Sequence, residues 1–146
     1  MKFLNMKKLI ALIIAIITLS ACSSDDTRRN RNPYIPSYSF QVELNLNLPS
    51  YSDLRYVGGV QYVNLAGAGL NGIIVYNRDG NNYSAYEATC PNQIPTTCSR
   101  LEIDGLYVIC PCDNVRYSLI DGFGPAEWPL VSYRVVKNGD ILIISN

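Results

Sequence analysis

Apolar and polar residues alternate along much of the chain, beginning at Phe40. In residues 40–48 every second side chain is apolar and polar side chains stand between them. This period of two is typical of a strand with one buried face. Seven later stretches have the length and composition of strands: Val60–Leu65, Gly72–Tyr76, Tyr83–Ala88, Leu106–Cys110, Val115–Ile120, Val131–Val136 and Ile141–Ser145.

Turn-forming dipeptides recur among these stretches. They are Asp79-Gly80, Asp104-Gly105, Asp121-Gly122 and Asn138-Gly139. Beyond the N-terminal region no window has the 3.6-residue apolar period of an amphipathic helix, although residues 50–56 allow a single helical turn. Strand followed by turn followed by strand predicts an all-β domain of antiparallel meanders.

The first residues have the organisation of a secretory signal. Lysines at positions 2, 7 and 8 precede the apolar run Leu9–Ile17, which is too short for a membrane span of about 20 residues. The following Leu19-Ser20-Ala21-Cys22 resembles the lipobox of bacterial lipoproteins. That resemblance implies cleavage after Ala21 and a lipid on Cys22, and an ordinary secretory signal is the alternative.

A lipid anchor defines the expected organisation of the chain. Residues 1–21 are the signal, residues 22–39 are a flexible tether rich in Ser, Asp, Arg, Asn and Pro, and residues 40–146 are the domain. The predicted location is the cell envelope, with the membrane as partner through lipidated Cys22. Ser23, in the lipoprotein resemblance, implies the outer membrane and leaves its face open.

Composition excludes several functions. After removal of the signal, 125 residues carry 9 basic and 12 acidic side chains, a net charge of −3. The only basic cluster, Arg28, Arg29 and Arg31, lies in the tether, so no nucleic-acid partner is expected. The chain has no histidine, which excludes Ser-His-Asp and Cys-His nucleophiles and imidazole metal ligands. An enzyme is therefore not the favoured interpretation.

Four further cysteines occupy two short motifs and the segment between them. Cys90-Pro91-Asn92 is followed by Cys98, then by Cys110-Pro111-Cys112-Asp113, and downstream by the segment G-P-A-E-W-P-L at residues 124–130. Residues 40–146 thereby resemble the Rieske iron–sulfur family, whose motifs are Cys-x-His, C-P-C-H-G-S-x-[FY] and a Pro loop G-P-A-x-x-P-L. The resemblance implies an antiparallel β-sandwich or meander with two cluster-type loops and a Pro loop.

The resemblance places the two cluster cysteines at Cys90 and Cys110, but Asn92 and Asp113 stand where the two ligand histidines are expected. A Rieske centre holds one iron by two thiolates and the other by two imidazoles. A neutral amide is a poor ligand for ferric iron, and one carboxylate cannot fill two positions. These four positions are thus predicted to be vestigial, with no metal or cofactor bound, and an atypically ligated [2Fe–2S] cluster is the alternative.

The family resemblance also implies a disulfide between Cys98 and Cys112. Thiolates on one tetrahedral metal lie about 3.7 Å apart, and a disulfide needs about 2.05 Å. In an oxidising compartment Cys90 and Cys110 are therefore expected to bond to each other. The connectivity that joins Cys110 to Cys112 is disfavoured, because a single proline between them leaves little room.

Three function classes follow. The favoured one is an envelope lipoprotein whose Rieske-like domain has lost its cluster and serves as a binding or structural module. The second is an electron carrier whose cluster is held by a rearranged set drawn from Cys90, Cys98, Cys110, Cys112 and Asp113. The third is thiol–disulfide exchange through Cys110-Pro111-Cys112, for which Arg116 is the one nearby cation able to lower a thiol pKa.

Overall fold

The computed structural model describes residues 32–146, so the predicted signal and Cys22 lie outside the described residues. Within them the strands are β1 (Gln41–Asn45), β2 (Val60–Val63), β3 (Ile73–Asn77), β4 (Tyr83–Glu87), β5 (Glu102–Asp104), β6 (Tyr107–Ile109), β7 (Arg116–Ser118), β8 (Ser132–Asn138) and β9 (Ile141–Ser145). A 3₁₀ segment at Pro49–Arg55 provides the predicted helical turn.

These strands form two sheets in which every pairing is antiparallel. The larger sheet has the order β1-β9-β8-β4-β3-β2, and the smaller one has the order β5-β6-β7. The predicted all-β fold is therefore confirmed. Short hairpins join β3 to β4, β5 to β6 and β8 to β9, with the turns at Asp79-Gly80, Asp104-Gly105 and Asn138-Gly139 where the sequence places them.

Two details of the strand pattern differ from the prediction. Strand β5 was not expected, because its three residues are exposed and show no alternation of burial. Strand β1 ends at Asn45, although the alternation continues to Leu48. There the Asn45 side-chain oxygen accepts the Asn47 N–H at 2.9 Å and the Asn45 carbonyl accepts the Leu48 N–H at 3.0 Å. This local turn competes with the strand and ends it.

Strand β3 lies between two hydrophobic cores, so all five of its residues are buried. Ile73 and Val75 face one core and Ile74 and Tyr76 face the other, as the period of two requires. The first, here the aliphatic core, contains Leu44, Leu46, Leu54, Val63, Ala68, Ile73, Val75, Ala85, Leu142 and Ile144. The second, here the disulfide core, contains Ile74, Tyr76, Tyr86, Ala88, Cys90, Leu101, Val108, Cys110, Tyr117, Leu119 and Leu130.

The described end of the predicted tether contacts the domain. Asn32 and Ile35 are buried, and the Asn32 side-chain amide donates a hydrogen bond to the Pro91 carbonyl at 2.7 Å. The Asn32 side-chain oxygen accepts the backbone N–H groups of Tyr34 and Ile35. Residues 32–35 thus pack beside the first cysteine motif. Nowhere in residues 32–146 is there a helix of the length and apolarity that crossing a membrane requires.

Candidate functional site

The site lies where three loops meet at one end of the disulfide core. The first cysteine loop, residues 88–101, connects β4 to β5 and closes on itself through backbone hydrogen bonds. The N–H of Cys90 donates to the Ser99 carbonyl, and the N–H of Leu101 donates to the Ala88 carbonyl, both at 2.8 Å. These bonds place Cys90 at the base of the loop, where it is 1% exposed.

The second cysteine loop, residues 110–115, is a tight turn between β6 and β7. The Asn114 N–H donates to the Cys110 carbonyl at 2.8 Å, and the Cys110 N–H donates to the Val115 carbonyl at 2.9 Å. Asn114 has φ of 61°, and asparagine tolerates this left-handed conformation better than most residues other than glycine. The turn directs Cys110 into the core and leaves Asp113 exposed.

Two disulfides join these loops. Cys90 is bonded to Cys110, with Cα atoms 5.5 Å apart, and Cys98 is bonded to Cys112, with Cα atoms 5.3 Å apart. Both predicted pairings are confirmed, and Cys110 and Cys112 are not bonded to each other. The first bridge is buried. In the second, Cys98 is exposed and Cys112 is half-buried.

The two bridges are neighbours in space. The Sγ atoms of Cys90, Cys110 and Cys112 lie within 4.8 Å of one another. Two hydroxyl groups lie beside the exposed bridge: Thr96 Oγ1 is 3.7 Å and Ser99 Oγ is 3.9 Å from Cys112 Sγ. Both sulfur atoms of the buried bridge and one sulfur atom of the exposed bridge therefore form a compact group at the junction of the loops.

Asn92 holds the Pro loop, residues 124–130, against the first cysteine loop. Its amide nitrogen donates to the Trp128 carbonyl at 2.7 Å and to Tyr117 Oη at 2.9 Å, and its oxygen accepts the Trp128 N–H at 2.8 Å. Burial raises the pKa of Tyr117 above its ordinary value, the Asn92 hydrogen bond opposes this rise, and the negative charge of Asp113 adds to it. Both the nitrogen and the oxygen of the Asn92 amide therefore have protein partners.

Asp113, which the family resemblance places at the second ligand-histidine position, forms a hydrogen bond within its own turn. Its side-chain oxygen accepts the Val115 N–H at 2.9 Å in an exposed setting. The donor set for a Rieske cluster would therefore consist of a disulfide, an engaged amide and a turn carboxylate. This set does not fit a [2Fe–2S] cluster, which needs four free thiolate or imidazole ligands.

Arg116, the cation expected near the thiols, points elsewhere. Its guanidinium forms an exposed ion pair with Asp104 at 2.7 Å and lies 4.6 Å from the centre of the Tyr107 ring. These partners belong to the smaller sheet. The placement does not support Arg116 as an activating group for Cys110 or Cys112.

Sequence reasoning missed a buried carboxylate on the other side of β4. Glu87 is 1% exposed. Its oxygens accept four hydrogen bonds, from the backbone N–H of Leu70 (2.7 Å) and Asn71 (3.1 Å) and from the hydroxyls of Thr89 (2.7 Å) and Tyr133 (2.6 Å). Four donors fill the lone-pair sites of a carboxylate. Burial, and then the charge of Glu87, raise the pKa of Tyr133 above its ordinary value.

Two glycines permit the close approaches at Glu87 and at the Pro loop. Gly69 has φ of 68°, and a Cβ there would lie 2.8 Å from Glu87 Oε2. A Cβ at Gly124 would lie 2.6 Å from Cδ1 of Tyr117. Any larger residue would push each loop away from the group that holds it.

A groove of about 290 Å³ runs between β4 and the segment that follows β7. Aromatic rings and one guanidinium contribute to its walls: Tyr83, Tyr86, Phe123, Tyr133 and Arg78. Phe123 is half exposed. This groove is a concave surface of the described domain that lies away from the disulfides.

Comparison with known proteins gives similarity at the level of structure. No family model matches the chain, and no curated protein matches it. Among solved structures, it is similar to a chain of the complex of reduced oxygenase and oxidized ferredoxin in carbazole 1,9a-dioxygenase. That similarity has 24% identity and a TM-score of 0.48 over 72% of this chain and 92% of that one.

Two further solved structures are similar. The ferredoxin of carbazole 1,9a-dioxygenase from Nocardioides aromaticivorans IC177 has 20% identity and a TM-score of 0.44, over 74% of this chain and 97% of that one. The plasma membrane Rieske protein of the cyanobacterium Synechocystis PCC 6803 has 18% identity and a TM-score of 0.47, over 60% of this chain and 87% of that one. At such identities the likeness concerns the fold alone.

Proposed function

We propose that this protein is a cell-envelope lipoprotein whose Rieske-like domain works without an iron–sulfur cluster, as a disulfide-stabilised binding or structural module. One observation carries the proposal: each position at which the resemblance places a cluster ligand has another partner. Cys90 is bonded to Cys110, Asn92 is bonded to the Pro loop, and Asp113 accepts a hydrogen bond from its own turn.

Binding of a cluster at this site would require that several favourable interactions be broken. The Cys90–Cys110 bridge would have to be reduced, and Asn92 would have to leave three hydrogen bonds. Each such bond contributes about 1 kcal/mol net. Neither Asn92 nor Asp113 would supply an imidazole in return. The energetic balance therefore favours the closed, disulfide-bonded site over an electron carrier.

The anchor and the groove support the proposed module. Cys22 precedes Asn32 by ten residues, which span at most about 35 Å when extended. Because Asn32 is packed beside Pro91, a lipid on Cys22 would keep this face of the domain close to the membrane. The groove between β4 and the segment after β7 supplies a surface for a ligand or partner.

The direct test is a count of iron, acid-labile sulfide and free thiols on protein purified anaerobically from its own host. We expect colourless protein, no stoichiometric iron and no free thiols in the domain. A Rieske protein with both histidines, purified in the same way, is the positive control. Iron and sulfide in equal amounts, at about two atoms of each per chain, would overturn the cluster-free proposal.

A second test restores the missing ligands. The double variant Asn92→His with Asp113→His is reconstituted with iron and sulfide under anaerobic, reducing conditions, beside wild type and beside Asn92→Gln with Asp113→Asn. Only the histidine variant should acquire the visible absorption and EPR signal of a Rieske centre. If it stays colourless while folded and with Cys90 and Cys110 reduced, the assignment of these positions to the lost histidines is wrong.

The anchor is tested by Cys22→Ser. The variant should leave the membrane fraction and lose metabolic lipid label, whereas Ser23→Ala should keep both. Retention of label by Cys22→Ser would contradict the lipoprotein proposal and would leave the proposal about the domain unaffected.

A further inference from the structure

The two bridges are close enough in space for their sulfur atoms to react with one another. Cys112 Sγ lies within 4.8 Å of both sulfurs of the Cys90–Cys110 bridge, while its own partner Cys98 is exposed. One bridge is thus open to solvent and the other is buried behind it. Movement of about 1 Å brings two sulfur atoms at such a distance into van der Waals contact.

We propose that Cys112 connects the two bridges in a thiol–disulfide relay, so that the domain oxidises an external dithiol and passes the electron pair to its buried bridge. The relay depends on the disulfide pairing and is independent of the lipid anchor. It also differs from exchange within Cys110-Pro111-Cys112, since those two cysteines are not bonded to each other.

The first step takes place at Cys98. A thiolate of the dithiol attacks Cys98 Sγ and forms a mixed disulfide, and the Cys98–Cys112 bond breaks with its electron pair on Cys112. Cys98 lines an open pocket together with Arg100 and Asn71, which gives the dithiol access. The Thr96 and Ser99 hydroxyls beside Cys112 Sγ can donate hydrogen bonds to the departing thiolate.

The second step is internal. The Cys112 thiolate attacks Cys90 Sγ, a Cys90–Cys112 bond forms, and Cys110 leaves as a thiolate that takes a proton from solvent. Attack on Cys90 is favoured over attack on Cys110, because a bridge from Cys110 to Cys112 would span one residue.

The remaining thiol of the dithiol then attacks its own sulfur in the mixed disulfide and releases Cys98, which takes the second proton. The dithiol has lost two electrons and two protons and has become a disulfide. The domain has gained both, as the thiols of Cys98 and Cys110, and keeps one bridge between Cys90 and Cys112. This balance requires no reactant besides the external dithiol.

The test compares Cys98→Ser with Cys112→Ser, which remove the same bridge from opposite ends. Each variant is purified without reductant, quenched with acid, alkylated and mapped by non-reducing peptide mass spectrometry. Cys98→Ser leaves a Cys112 thiol beside the buried bridge, and we expect at least a tenth of the molecules to contain Cys90–Cys112 with Cys110 alkylated. Cys112→Ser should contain only Cys90–Cys110.

The wild-type protein supplies two further measurements, the first of which needs no variant. With limiting dithiothreitol as the probe, the Cys90–Cys112 peptide pair should appear before all thiols are free. Cys110 should be alkylated at least tenfold faster in wild type than in Cys112→Ser. If wild type never shows Cys90–Cys112, or if Cys110 is alkylated equally fast in both proteins, the bridges act independently and the relay is refuted.

Discussion

Two loops of this domain are each held in place by one side chain, and the two side chains differ in charge and burial. Glu87 holds residues 69–71 from the buried face of β4. Its carboxylate accepts four hydrogen bonds, two from the backbone N–H groups of that loop and two from the hydroxyls of Thr89 and Tyr133. Asn92, in a half-buried position, makes three hydrogen bonds through its amide, two to the backbone of Trp128 in the Pro loop and one to Tyr117 Oη.

The comparison shows that a polar residue can be structural even where its burial or its sequence position suggests a chemical role. Glu87 is a buried carboxylate, and the family resemblance assigns Asn92 to a ligand position, yet the polar atoms of both side chains are hydrogen-bonded to protein groups. Hydrogen bonds to a charged group are worth about 1.5–3 kcal/mol, and neutral ones about 1 kcal/mol. Both residues are therefore structural anchors, and Glu87 is expected to be the stronger one.

The largest effect is expected for Glu87→Gln. The amide group keeps one acceptor oxygen and turns an NH₂ group toward donors, so that two charge-assisted bonds are lost. We expect the free energy of unfolding to fall by about 3 kcal/mol in urea titrations. Glu102→Gln, on the exposed strand β5, is the control and should change little. A loss of less than about 1 kcal/mol in Glu87→Gln would contradict the ranking.

Removal of the weaker anchor should have a smaller and more local effect. Asn92→Ala should lower the free energy of unfolding by about 2 kcal/mol, since three neutral hydrogen bonds are lost and water can reach the half-buried site. Trp128 is the only tryptophan of the chain, so its fluorescence reports on the Pro loop directly. We expect a shift in emission for Asn92→Ala and none for Glu87→Gln or for the exposed control Asn64→Ala. An unchanged emission would show that Asn92 does not hold the loop.

The tyrosines at the two anchors predict an alkaline pH dependence. The pKa values of Tyr133 and Tyr117 are both raised in the folded state. Below about pH 9 both tyrosines keep their protons in folded and unfolded chains. Above that pH the unfolded chain loses its protons first, so stability falls as the pH rises toward the folded-state pKa values.

Single variants test the predicted fall in stability at alkaline pH. Tyr133→Phe should cost about 1.5 kcal/mol at pH 7, through the lost bond to the Glu87 carboxylate, and should remove the larger part of the alkaline slope. Tyr117→Phe should remove a smaller part. The measurement is the urea midpoint between pH 8 and 11. A slope that both variants retain in full would assign the effect to other groups.

The smallest effect is expected for Asp113→Ala. Its bond to the Val115 N–H is exposed, and water can replace it, so the loss should be about 0.5 kcal/mol or less. Of the two positions that the family resemblance assigns to ligand histidines, Asn92 should therefore tolerate substitution poorly and Asp113 should tolerate it well. Equal losses for Asn92→Ala and Asp113→Ala in the same urea titration would remove that distinction.

Much of the fold was predictable because its signals are local. Alternation of apolar residues placed β1, the length and composition of seven further stretches placed seven other strands, and Asp-Gly and Asn-Gly dipeptides placed three of the hairpin turns. Where the pattern failed, a short-range cause was present: β5 is too brief to alternate, and Asn45 ends β1 with its own side chain. The disulfide pairing needed the family resemblance, because cysteine spacing alone left alternatives open.

Only the tertiary structure decided which polar residues hold the loops. The carboxylate of Glu87 meets donors that lie 2, 16, 17 and 46 positions away in the chain. Asn92 meets partners 25 and 36 positions away. Periodicity records whether a side chain is buried, since burial follows from the local backbone direction. Periodicity does not show which residues from distant parts of the chain contact that side chain, because those contacts form only when the two sheets and their loops pack together.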